Sequence, residues 1–222
     1  MAPGLALHRR RHAGFTLIEL LVAIAAMALL ALISWRGLDG MMRAQDANRT
    51  RGDAVLTLQT TLSQWNADLD AVLPLGQTSP IEWDGRVLRL TRRGPDPAAP
   101  TVQVVAWTLR ADADGARWRR WQSPPFTGRD GWRQAWALAG SWGQEGGSDT
   151  RGGEVALVPL ESWQLLYYRN GGWGPAVAAS ALGSTTPVPD GVRLVLSLPP
   201  GPSLAGLLTS DWVRPNVAVP KS

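Results

Sequence analysis

The chain has 222 residues, with 22 basic against 18 acidic side chains, a formal charge of +4, no cysteine, and two histidines, His8 and His12. Without cysteine there is no disulfide and no thiol nucleophile; beyond residue 12 there is also no Cys/His zinc site and no Ser-His-Asp triad. The single lysine is Lys221, so any catalysis would rest on carboxylates, serines or tyrosines, and no local pattern marks them for it.

Three arginines, Arg9 to Arg11, precede an apolar run from Phe15 to Ser34. About 20 such residues in helix cross a bilayer's hydrocarbon core. Basic flanks stay on the cytoplasmic side, so everything after Ser34 is expected across the membrane. A cleaved secretory signal carries its small-residue site after the apolar run. Ala31 serves that purpose weakly, and the small residue Gly14 lies before the run instead. Within the run stands one charge, Glu19. An acid at that depth is costly and points to function.

Behind its short basic leader, Gly14-Phe15-Thr16-Leu17-Ile18-Glu19 resembles the processing motif of type IV pilins and type II secretion pseudopilins. The resemblance implies that a prepilin peptidase cuts between Gly14 and Phe15 and that Phe15 is N-methylated. It also implies that Glu19 serves subunit assembly, neutralising the Phe15 amine of a neighbour. Physical chemistry agrees, because neither an amine nor a carboxylate tolerates isolation in lipid. Removing the three leader arginines from the formal +4 leaves +1. That is too small a net field to argue for nucleic acid, and none is expected as a partner.

The helix is predicted to continue from Trp35 to Val72, a stretch without proline. Val55, Leu58, Leu62, Trp65, Leu69 and Val72 form one apolar stripe, expected to pack on the chain's own domain. Extended backward, the stripe meets Arg51 and Asn48, so the helix is more solvated just outside the membrane. Pro74 marks the stop. Gly37, Gly40 and Gly52 are the places for a bend or a break into two helices, since glycine costs only about 1 kcal/mol in a helix.

From Leu73 onward the pattern reads as β. Arg86 to Arg92 and Thr101 to Arg110 are strand-like and flank the loop signal Gly94-Pro95-Asp96-Pro97. Asp112-Ala113-Asp114-Gly115 starts like a calcium loop but lacks the later ligands and distal Glu, so a tight hairpin turn into Arg117 to Trp121 is expected. Gly140 to Gly153 is the most linker-like stretch and is expected to be a mobile loop. Glu154 to Leu160 and Ser162 to Arg169 follow, with Pro159 at a bulge or edge. Asn170-Gly171-Gly172 signals a hairpin into Trp173, and Val192, Leu194, Leu196 and Leu198 alternate as a half-buried strand. Twelve tryptophans are present. Arg117-Trp118-Arg119-Arg120-Trp121 has the make-up to stack bases or sugars. The favoured reading is that the tryptophans fill a β core and its partner interfaces, with arginines stacked on them.

This order of elements, with Trp35-Arg36-Gly37-Leu38-Asp39 just past the membrane, the Val104 to Arg110 and Trp118 to Pro125 hairpin, and the late strands around Trp173 and Val192, resembles the J-class minor pseudopilins of type II secretion. The stretch 140–153 has no counterpart in that resemblance, and Gly174 to Pro189 departs from it in lacking charge. It implies an α+β, pilin-like fold: a long N-terminal transmembrane and amphipathic helix packed on a β-rich periplasmic domain. The expected parts are a cleaved leader (1–14), a transmembrane segment (15–34), its periplasmic continuation (35–72) and a globular domain (73–222). The implied role is non-enzymatic and without cofactor or metal. The protein would be a single-pass bacterial inner-membrane subunit that joins I-class and K-class minor pseudopilins and other pseudopilins at the pseudopilus tip, where assembly starts and protein export is supported. The alternatives are a type IV pilus minor pilin for adhesion or DNA uptake, and a membrane-anchored periplasmic enzyme using carboxylates.

Overall fold

A computed structural model of the chain describes residues 15–76, 78–94, 96, 101–113, 115–147, 152–176, 187–201 and 203–215. Gly14 and its leader, Asp114, Lys221, residues 148–151 of the expected loop and residues 177–186 of the uncharged segment lie outside the described residues. The chain divides into two compact units, Met1–Arg49 and Thr50–Ser222. Helix α1, Leu17–Asp70, contributes residues to both. Gly37, Gly40 and Gly52 are all helical.

In the first unit the apolar side chains of α1 are exposed along its length. It is the one described helix long and apolar enough to cross a membrane. In the second unit α1 buries Leu58, Thr61, Trp65, Asp68 and Leu69. It ends at Asp70, two residues short of the expected Val72. There Val72 forms an isolated antiparallel bridge with Arg92 and Leu73 N–H donates to Thr91 O. Pro74 has no N–H with which to continue the helix.

Five antiparallel strands form the first sheet: β1 (Ile81–Trp83), β2 (Val87–Arg93), β3 (Val102–Asp112), β4 (Gly115–Gln122) and β5 (Glu154–Pro159), in that spatial order. Asp84 makes the β1–β2 turn, its Oδ1 accepting from the backbone of Arg86 and Val87, with Gly85 at φ 94°. Asp112 pairs with Gly115 across the two-residue β3–β4 hairpin, as expected for a tight turn. Pro159 sits on the edge strand β5, where the β4–β5 register shifts between Arg117 and Arg119. The second sheet has the order β7-β6-β8-β9, from β6 (Ser162–Arg169), β7 (Gly172–Pro175), β8 (Gly191–Leu198) and β9 (Gly206–Val213). Asn170 (φ 50°) and Gly171 (φ 82°) supply the two left-handed residues that a two-residue hairpin between β6 and β7 requires.

Side chains alternate across a strand, and the first sheet buries both faces. Leu88, Leu90, Val105, Trp107 and Trp118 face a core shared with Leu58, Trp65 and Leu69 of α1 and with Trp163, Leu165, Val192, Leu194 and Leu196 of the second sheet. Trp65 sits at its centre, 5.3 Å ring to ring from both Trp107 and Trp118. Val87, Val104, Ala106 and Trp121 face the other way, against Ala135, Ala139 and Trp142.

Those last three residues belong to an element the sequence reading missed. Helix α2, Arg129–Glu145, lies between β4 and β5 in the chain, so residues 140–145 of the expected mobile loop are helix. Gly143 makes the close approach possible: a Cβ there would stand 2.2 Å from Val87 Cγ2. Strands β1 and β9 also went unread.

Candidate functional site

Two places carry the residues singled out from the sequence. The first is the start of α1. Phe15 is 90% exposed, and the apolar side chains that follow it are exposed as well. Glu19 folds back on the start of its own helix. Its Oε2 accepts from Thr16 N–H at 2.9 Å and from Thr16 Oγ1 at 2.8 Å, while Glu19 N–H donates to Thr16 Oγ1 at 3.4 Å. This reciprocal pattern is a capping box, in which an N-cap Thr and the acid three residues later satisfy backbone donors that have no partner within the helix. Thr16 was not singled out from the sequence, although Thr-x-x-Glu ahead of an apolar run signals this arrangement.

The second place is the stripe of α1 in the second unit. Leu58, Trp65 and Leu69 are buried, while Val55, Leu62 and Val72 are half-buried. Sequence reasoning missed the residue beside them, Asp68, which is fully buried. Trp107 Nε1 donates to its Oδ2 at 2.9 Å and Arg120 Nε at 2.7 Å; Arg120 Nη2 reaches Oδ1 at 2.8 Å and Gln64 Nε2 at 3.0 Å. Arg92 adds an ion pair to Oδ1. A buried carboxylate is tolerated only when such donors replace its water. At the end of α1, Asp70 accepts from Trp212 Nε1 at 2.8 Å, tying the helix to the second sheet.

A similar hub lies between α2 and the first sheet. Glu154 accepts from Arg110 at 2.6 Å and Trp142 Nε1 at 2.7 Å, and pairs with Arg119. Burial pushes its carboxyl up, but the hydrogen bonds from Trp142, Arg110 and Arg119 outweigh it and hold the group below its ordinary value.

These contacts bear on the Arg117 to Trp121 segment. Trp118 and Trp121 point into opposite cores and are buried. Arg119 and Arg120 are drawn inward to Glu154 and Asp68. Elsewhere, arginines lie over aromatic rings: Arg89 on Trp136, Arg110 on Trp142, Arg169 on Tyr167 and Arg193 on Trp173. Arginines thus stack on tryptophans as expected, and with Trp118 and Trp121 buried the Arg117 to Trp121 segment offers no open aromatic platform for bases or sugars. Among the described residues, no group of three or more Asp or Glu side chains is placed to hold a metal ion.

Residues 9–35 match the family described as the prokaryotic N-terminal methylation motif. The chain is 38% identical over 65 residues to type II secretion system protein J of Klebsiella pneumoniae, covering 29% of this chain and 33% of that protein. Longer matches reach the proteins of the same name from Escherichia coli and Vibrio cholerae. They are 25% and 27% identical over 207 residues, each covering 86% of this chain and 92% and 83% of the relatives. No solved structure matches the chain significantly.

Proposed function

We propose that the chain, a minor pseudopilin of the type II secretion system similar to the J proteins, is cut by a prepilin peptidase between Gly14 and Phe15 and methylated on Phe15. In this reading it is anchored once in the bacterial inner membrane, with the β-rich domain in the periplasm. It joins I-class and K-class minor pseudopilins and other pseudopilins at the tip of the pseudopilus, where filament assembly begins. It catalyses nothing. Glu19 neutralises the freed amine of a neighbouring subunit, a pairing that lipid makes necessary because neither charge is solvated there.

The observation that carries this reading is that two similarities agree. A methylation motif covers residues 9–35, and likeness to J proteins runs through 86% of the chain, well beyond that motif. The test is mass spectrometry of the mature protein from membranes, joined to co-isolation with the other minor pseudopilins. N-methyl-Phe15 at the start and recovery in one complex are expected; an unprocessed Met1 or a cut beyond Ala31 would overturn it.

A further inference from the structure

The Glu19 carboxylate is already committed through one of its two oxygens. Both bonds from Thr16, main-chain N–H at 2.9 Å and hydroxyl at 2.8 Å, converge on Oε2. No described residue donates to Oε1. The atoms that form the cap belong to residues 16 and 19, so a cut between Gly14 and Phe15 removes none of them. The cap supplies two donors to an acid in lipid before any partner arrives, which lowers the cost of carrying it there. It also fixes the long Glu side chain, whose rotamer freedom would otherwise be lost on pairing.

We propose that Thr16 is a positioning residue for subunit pairing: it holds Glu19 through Oε2 and leaves Oε1 to accept the ammonium group at a neighbouring subunit's N-terminus. The inference rests on the reading above that Glu19 pairs between subunits. It adds that the carboxylate is aimed by its own chain before the neighbour docks. A serine at position 16 preserves both donors; a valine keeps the shape and the backbone N–H but removes the hydroxyl from the cap.

The experiment uses the full chain in host membranes together with its partner pseudopilins. Thr16→Ser, Thr16→Val, Glu19→Leu and the Thr16→Val/Glu19→Leu double variant are compared by co-isolation from solubilised membranes. Recovery is normalised to the cleaved, methylated fraction, so an effect on processing is not counted. Thr16→Ser is expected to match the parent, and Thr16→Val to lose about three- to tenfold in recovery, the scale of a lost N-cap. In the Glu19→Leu background Thr16→Val should change nothing further, because a residue that acts through Glu19 has nothing left to position. An additive loss there would reveal a general helix-fraying role and overturn the proposal. So would Thr16→Val recovering like the parent while Glu19→Leu fails, a result that leaves the pairing reading intact. Parent-like recovery of Glu19→Leu would overturn the pairing itself.

Discussion

Arg120 grips Asp68 with two nitrogens, Nε to Oδ2 at 2.7 Å and Nη2 to Oδ1 at 2.8 Å, joining α1 to the middle of β4. The carboxylate is fully buried, and Arg92 and Trp107 complete its shell from β2 and β3. One acid thus fastens the helix to three consecutive strands. Asp68→Ala is expected to cost about 3–5 kcal/mol, because it leaves two largely buried guanidinium groups without their counter-charge. Denaturant unfolding of the purified chain in detergent measures it. A variant within about 0.5 kcal/mol of the parent would show that the donors find other acceptors.

Trp65 lies at the meeting point of α1 and both sheets, with Trp107, Trp118 and Trp163 around it. Trp65→Ala is expected to destabilise by about 3–5 kcal/mol through lost burial and the cavity left behind. Leu62→Asp is expected to be milder than Trp65→Asp, since Leu62 is half-buried and its charge can reach water. Equal melting temperatures for those two aspartates would contradict the packing described.

Gly143→Ala probes the approach of α2 to the first sheet. The added methyl would meet Val87 at 2.2 Å and 2.8 Å, so a loss of about 1–3 kcal/mol by overpacking is expected despite alanine's better helix propensity. Combining it with Val87→Ala should recover part of the loss in thermal melts. Independent, additive losses would mean that the contact is not what excludes the methyl.

Glu154 gives the second unit an acid-sensitive link. Its carboxyl is held below the ordinary 4.5, so its contribution to stability is full above the unfolded-state pKa and is lost as pH falls through the lowered folded-state value. Melting temperature measured from neutral pH downward should therefore decline below about 4.5 in the parent. Glu154→Gln should start lower and fall less steeply over that acid range. Parallel curves would exclude Glu154 as a source of the slope.

The exposed pair Arg193–Asp211 is a contrasting case. A hydrogen bond from Arg193 holds the Asp211 carboxyl below its ordinary value, yet both side chains are more than a third exposed. Asp211→Ala is expected to cost less than about 1 kcal/mol, as solvent screens the pair. A loss as large as that of Asp68→Ala would overturn this ranking.

The sequence by itself determined the membrane-length run, the processing motif and the buried stripe of α1, because each is a local pattern whose period or order is written in adjacent residues. Leu58, Trp65 and Leu69 are legible since helical spacing puts them on one face whatever packs there. Strands β2 and β3 are legible from their branched and aromatic residues, β4 from the turn that leads into it, β5 and β6 from the break at Pro159, and β8 from its alternation. Helix α2 was hidden because Gly140 and Gly143 lie in a stretch that reads as linker, and only the close approach of Gly143 to Val87 shows why a helix keeps a glycine there. Strand β9 was hidden because Leu207 and Val213 lie exposed on an edge, blurring its alternation. Only the tertiary structure decided that Asp68 is a buried hub, since its donors Arg92, Trp107 and Arg120 come from 24, 39 and 52 positions away. A carboxylate's meaning depends on which charges the fold brings to it, and no spacing along the chain records that.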